Sequence, residues 1–141
     1  MKKFLIFCFV AVAATFVSCS KDDDTVNVSK SNLVGRWEIY KTVEIGDGET
    51  YVDEEFGEEY GWHEIYEFRD DNTGVKIDMD YYGGNWHTEE HSFTYSINGN
   101  KISMSEGGST LEVTVEKLTS TEVVFMAKEG EYVYRAYMKR I

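Results

Sequence analysis

Four groups of residues in this chain have the types and spacing to do chemistry. His87-Thr88-Glu89-Glu90-His91 reads His-x-x-Glu-His, a spacing that grips one Zn²⁺ when a helix stacks i and i+4 on one face. The stretch Gly46 to Gly61 gathers seven carboxylates between Asp47 and Glu59, the hard oxygen donors that Ca²⁺ prefers. Cys19 follows an apolar run near the start of the chain and carries a thiol. Finally, Glu64, Glu89 and His91 are titratable groups set among aromatic residues.

The elements that must position these groups decide between chemistry and a plainer role. His91 leads into Phe93, Tyr95 and Ile97, apolar at every second residue, which is the period of a strand. Four residues of strand separate the two imidazoles by about 13 Å, too far for one metal. The acidic stretch lacks the spaced Asp and Asn ligands of an EF-hand loop and reads as a solvated face. The chain shows no Gly-rich phosphate loop, no G-x-S-x-G elbow and no thiol beyond Cys8 and Cys19. No metal, no cofactor and no catalytic residue is therefore expected, and the chain is not expected to be an enzyme.

Cys19 belongs to a different context. Met1-Lys2-Lys3 and the apolar run Phe4 to Phe16 have the layout of an export signal. The run is shorter than the ~20 apolar residues of a spanning helix. It ends in Phe16-Val17-Ser18-Cys19, which resembles the lipobox of bacterial lipoproteins, with Phe16 standing where Leu is usual. The resemblance implies removal of residues 1–18 and acylation, by chains such as palmitate, of Cys19. An ordinary secretory signal is the alternative, but Cys8 leaves with the signal and would strand Cys19 as a lone thiol in an oxidising compartment.

Residues 19–31 then read as an acidic tether. Ser20-Lys21-Asp22-Asp23-Asp24 is similar to the signal that sends lipoproteins to the outer face of the outer membrane in one phylum of anaerobic Gram-negative bacteria. Asp24-Thr25-Val26 resembles that phylum's O-glycosylation acceptor. A lipid-anchored outer-membrane protein facing the cell surface is the expectation, with the periplasmic face as the alternative. Losing Lys2 and Lys3 with the signal leaves 12 basic against 26 acidic residues, a formal charge of −14 over 123 residues. A surface of that sign argues against nucleic acid as a partner.

Past the tether, the chain alternates in segment after segment. Trp37, Ile39 and Val43 share one face of the first strand, and Trp62, Tyr66 and Phe68 one face of the next. The turn Asp70 to Gly74 leads to Val75, Ile77, Met79 and Tyr81, taken as the buried face with Lys76, Asp78 and Asp80 between them. Gly83-Gly84, Asn98-Gly99, Gly107-Gly108 and Glu129-Gly130 punctuate the rest, Asn-Gly being the strongest short hairpin signal. The pattern predicts eight strands, and short connections make neighbours antiparallel. An all-β, eight-stranded antiparallel up-and-down barrel over residues 32–141 removes both exposed edges. A two-sheet sandwich is the structural rival. The Gly46–Gly61 connection is the one long loop.

Leu33-Val34-Gly35-Arg36-Trp37 places Gly-x-Trp at the start of the first strand, which resembles the lipocalin signature. The family also has its longest loop between the first two strands and an arginine near the end of the last strand, across the tryptophan. In a closed barrel Arg140 lands near Trp37 on the same face as Tyr134 and Met138, a cation–π geometry. No helix after the barrel and no second or third lipocalin motif is found. The match is to the shorter lipocalin-like domain of bacterial lipoproteins, with Gly35, Trp37 and Arg140 as its signature.

An eight-stranded barrel is filled by side chains or holds one small ligand. Strand directions gather Trp62, Glu64, Tyr81, Glu89, Met104, Leu111 and Tyr132 at the mouth, with Tyr66 and His91 deeper. Ligand binding is assigned to Trp62, Glu64, Tyr66, Tyr81, Glu89, His91 and Tyr132. The expected ligand is small and mostly apolar, neutral or cationic given the charge, and the chain is expected to be a monomer. A filled barrel that displays its long loop to a protein or glycan partner is the alternative.

Overall fold

A computed structural model describes residues 26–141. The expectations for the signal, for Cys19 and for the tether up to residue 25 lie outside the described residues. A short helix, α1 (Lys30–Leu33), precedes nine strands: β1 (Gly35–Gly46), β2 (Glu49–Asp53), β3 (Trp62–Phe68), β4 (Thr73–Tyr82), β5 (Asn85–Asn98), β6 (Lys101–Glu106), β7 (Ser109–Leu118), β8 (Glu122–Glu129) and β9 (Tyr132–Arg140). Each of β3 to β8 pairs antiparallel with the next, and β1 pairs with both β3 and β9. These eight strands close an antiparallel up-and-down barrel. The ninth, β2, lies within the acidic stretch read from sequence as a loop and pairs with the distal half of β1, Thr42 to Gly46.

The two halves of β1 serve different neighbours. Gly35 to Glu38 pair with β3 and close the barrel, whereas beyond them β2 takes the place of β3. Between the halves the register against β9 jumps from Ile39–Met138 to Lys41–Tyr137, which makes Tyr40 a bulge residue. One extra residue exchanges the faces of everything after it. Thr42 and Glu44 therefore join Ala136 and Tyr134 on the inner face, and Val43, expected there with Trp37 and Ile39, points outward opposite Arg135.

Trp37 marks the closed end. It is fully buried with Leu33 beneath it, and its indole N–H donates to the Leu33 carbonyl at 2.8 Å. The Arg140 guanidinium lies 4.1 Å from the centre of the indole ring. It also donates to the carbonyls of Asn32, Val34 and Ser120 at 2.6, 2.9 and 2.8 Å. Gly35 is required beneath it: its φ is +138°, and a Cβ there would stand 2.2 Å from Arg140 Nη1. Ahead of α1, Val28 is buried and its N–H bonds the Gly99 carbonyl at 3.1 Å, so the folded unit begins before residue 32.

Above this floor the lower half of the barrel is solid. Phe68 meets Phe93, Tyr95 and Phe125 edge-on at centroid distances of 5.5, 5.2 and 6.0 Å. Ile39, Ile102, Val115, Val123 and Met138 fill the space around them. A second apolar cluster lies on the outside of the wall. Ile65, Val75 and Ile77 pack together there with Met79 against them, separate from the interior core.

Candidate functional site

Register across the turns decides which side chains of β4 enter the barrel. Directly opposed residues of an antiparallel pair share a face. Phe68 and Tyr66 of β3 oppose Gly74 and Lys76, and Phe93 and His91 of β5 oppose the same two residues. The inner face of β4 is therefore Gly74, Lys76, Asp78 and Asp80. Val75, Ile77, Met79 and Tyr81, taken from sequence as the buried face, are on the outer one. Tyr81 is thus removed from the interior site: it is 52% exposed, and its ring meets Trp86 at 5.3 Å, which in turn meets His63 at 5.2 Å.

An ionic layer then sits on the apolar core. Tyr66 Oη donates to Glu64 Oε1 at 3.0 Å. Lys76 Nζ lies 3.3 Å from that oxygen and 3.1 Å from Asp78 Oδ2. His91 spans from β5 to the β6 end: its Nδ1 is 3.2 Å from Glu106, and its Nε2 is 3.9 Å from Asp78 and 4.0 Å from Glu89. The other oxygen of Asp78, Oδ1, is buried and has no hydrogen-bond partner. Across the mouth Tyr134 shares a side-chain hydrogen bond with Thr42. Leu111, half-buried, and Met104, buried, join the core from β7 and β6.

Burial shapes the titration of this layer. It raises the Glu64 carboxyl above its usual range, Asp78 adding to the effect while Lys76 and the Tyr66 hydroxyl oppose it. Tyr66 and Tyr134 are raised well above the usual phenol value, first by burial and then by the Glu64 charge. Burial works against the charge of Lys76, but the two carboxylates outweigh it and hold the ammonium firmly protonated.

The remaining assigned residues spread around the rim. Trp62 is half-buried where Gly57 bridges back to it. Glu89 shares the inner face of β5 with His91, but its side chain is 81% exposed. Tyr132 donates to Asp47, and its ring lies over Gly46, where a Cβ would meet it at 2.1 Å. His87, on the same strand as His91, stacks on Tyr82 at 3.6 Å. Among the described residues no group of three or more His, Cys, Asp or Glu side chains is placed to hold a metal ion.

Sequence reasoning missed Lys76, Asp78, Thr42, Glu44 and Glu106 as inner-face residues, and used Tyr134 only as a strand marker. The signal for the first two was available. A two-residue turn at Gly83-Gly84 makes even-numbered residues of β4 oppose odd-numbered residues of β5. Once Phe93 and Tyr95 are inside, Lys76 and Asp78 must be.

A family model described as a lipocalin-like domain matches residues 33–125. The chain belongs to the lipocalin-like domain family. Among curated proteins none matches. A solved lipocalin-like protein from Bacteroides uniformis is similar in fold at 14% identity and a TM-score of 0.55, over 78% of this chain and 99% of that one. Bovine odorant-binding protein, solved with a selenium-containing odorant, aligns at 13% identity and a TM-score of 0.46, over 85% and 77%. The lipocalin-like barrel here is solid in its lower half and ionic above.

Proposed function

We propose that this chain is a non-catalytic lipoprotein, anchored through Cys19 to the outer membrane and facing the cell surface, whose lipocalin-like barrel binds a small, mostly apolar molecule at its mouth. The observation that carries the binding role is the change in lining half-way up the barrel. Above the packed Phe68 layer the inner face is Tyr66, Tyr134 and Leu111, half-buried, and Lys76, whose side chain is 32% exposed. Solvent therefore reaches the aromatic and aliphatic carbon of Tyr66, Tyr134 and Leu111 between charged groups, and apolar walls beside a few converging polar groups are what small molecules occupy.

Displacement of a neutral apolar fluorophore such as Nile red from the protein tests the binding role. Saturable binding that is lost in a Tyr66→Ala/Tyr134→Ala variant and kept in Tyr81→Ala is the expected result. No saturable binding, or equal loss in both variants, overturns it. Anchoring is tested separately: labelled palmitate should enter the full-length chain in a Gram-negative host and fail to enter Cys19→Ser. Protease applied to intact cells reads which face the barrel occupies.

A second reading, a surface interaction module for a protein or glycan, is favoured by one observation. Tyr81 and Trp86 are 52 and 38% exposed beside the β4–β5 turn, their rings 5.3 Å apart on the outer face of the barrel. If the fluorophore fails and a partner is lost in Trp86→Ala, that reading replaces the first.

A further inference from the structure

We infer that the open edge of β5 is a pairing site for the same edge of a second copy of this chain, joining two barrels in place of the monomer expected from sequence. The inference does not depend on what the barrel binds. β5 runs from Asn85 to Asn98, but β6 pairs only with Thr94 to Asn98, so from Asn85 to Phe93 β4 is its one neighbour among the described strands. The Gly83-Gly84 hairpin closes on Tyr82 and Asn85, and in a two-residue hairpin that pair exchanges both backbone bonds. Odd-numbered residues of β5 therefore bond towards β4, as the Tyr95 N–H does to the Asn72 carbonyl at 2.8 Å. The N–H and C=O groups of Trp86, Thr88, Glu90 and Ser92 face the open side, and all four residues are exposed. An edge this long is ordinarily blunted by lysine, proline or a bulge. Residues 85–92 hold no lysine or proline, and they pair with β4 without a register shift.

Charge complementarity selects the occupant and its register. Two copies related by a two-fold axis pair antiparallel, and their outward groups meet only when even-numbered residues oppose even-numbered ones. Centred on Glu89 or Glu90, such a pairing sets a carboxylate directly against its own copy, which destabilises it. Centred on His87, it sets Glu89 opposite the partner's Asn85 and Glu90 opposite the partner's Gly84, so neither carboxylate meets a base. Centred on Thr88, it sets His87 opposite the partner's Glu89 and Glu89 opposite the partner's His87, two imidazole–carboxylate pairs on one face. His87 is already held on that face, stacked on Tyr82 at 3.6 Å, so little freedom is lost when it pairs. In this register the partner's Gly83-Gly84 turn meets the Gly107-Gly108 turn, where β6 ends. A Cβ at any of these four glycines would find nothing within 4 Å, so the two tips meet with no side chain between them. The repulsion of two acidic chains is screened over about 8 Å at physiological ionic strength, whereas the His87–Glu89 pairs are in contact.

A cysteine walk along this edge reads the contact. The full-length chain is expressed in a Gram-negative host as Thr88→Cys, Glu89→Cys, Glu90→Cys or Ser92→Cys, and whole cells are oxidised with copper phenanthroline. Directly opposed residues of a hydrogen-bonded pair stand about 5.5 Å apart at Cα, within disulfide reach, whereas the two copies of residue 92 would stand about 27 Å apart. On non-reducing gels Thr88→Cys should give at least five-fold more disulfide-linked dimer than Ser92→Cys or the unaltered chain, and more than the two positions between. Adding His87→Glu, which sets carboxylate against Glu89, should lower that yield at least five-fold, and His87→Glu with Glu89→His should restore it. Native electrophoresis in mild detergent should show the unaltered chain as a dimer and His87→Glu as a monomer, which decides the question even if Thr88→Cys does not fold. A yield at Thr88→Cys no higher than at Ser92→Cys, a maximum at Glu89→Cys or Glu90→Cys, or a disulfide to a different protein in place of the dimer overturns the inference. A monomeric unaltered chain overturns it as well.

Discussion

Replacing Arg140 by alanine removes, in one step, the cover of the Trp37 ring and the tie between three backbone segments at the closed end. The guanidinium stands 4.1 Å from the ring centre, a cation–π contact of about 0.5–2 kcal/mol. Its three bonds to carbonyl oxygens are 2.6 to 2.9 Å long, but two of them are exposed, so each contributes about 0.5–1 kcal/mol rather than the larger value of a buried charged bond. The total is about 2–5 kcal/mol, a fall in melting temperature of roughly 10–20 °C for a domain of this size. Arg140→Lys keeps the charge but not the planar fork that reaches three acceptors, so it should recover less than half of the loss. Gly35→Ala should destabilise as well, because its Cβ occupies the place of Arg140 Nη1. The double variant should lose less than the sum, since the clash disappears with the arginine. Urea denaturation of the four proteins reads these values. A loss below about 1 kcal/mol for Arg140→Ala, full recovery by lysine, or strict additivity with Gly35→Ala would refute the closing role.

The remaining predictions concern charge and core. Lys76→Met leaves Glu64 and Asp78 without their shared cation and should cost about 1–3 kcal/mol at neutral pH. Because the folded Glu64 carboxyl is already raised above 4.5, its protonated form favours folding; the penalty should shrink as pH falls towards that value, and denaturation at pH 4.5 and 7.5 compares the two. Glu38 behaves in the opposite sense. It is buried on the outer face, and hydrogen bonds from His63 and Lys139 hold its carboxyl low against the burial that would raise it. Glu38→Gln should cost about 1–2 kcal/mol above pH 4.5. That gap should close as pH falls through the lowered folded value, and an unchanged gap at pH 3 counts against it. Phe68→Ala should lose about 3–5 kcal/mol, read by the same urea midpoint.

Much of the barrel was legible because turns and strand period are local properties. Gly83-Gly84, Asn98-Gly99 and Gly107-Gly108 sit at the ends of strands, and Trp37, Phe93, Ile102 and Val115 fall on the inner face that alternation assigns. Two features were not legible, for different reasons. The bulge at Tyr40 is a register property of β1 against β9, and no residue type near it announces an extra position. The face of β4 was misjudged because apolar alternation specifies the period but not the direction. Val75, Ile77 and Met79 find apolar company in Ile65 on the outer wall, so the usual inference from apolar to inside fails there. Glu64, Tyr66 and His91 lie on the inner face; Lys76 and Asp78, which complete their ion pairs, follow from pairing rather than from composition.

The outer ridge on β4 means that this one strand carries two complete linings back to back, one oily and one ionic, and that neither sequence nor burial chooses between them. The choice is made by length. Gly83-Gly84 and the Asp70–Asn72 turn act as spacers that set the phase of β4 against both neighbours. Moving one residue from the second spacer to the first would rotate the strand by half a period and present Val75, Ile77 and Met79 to the mouth. A greasy bowl and a charged one are thus one deletion and one matching insertion apart, which makes turn length, more than any side chain in the wall, the variable that sets the polarity of this barrel's contents.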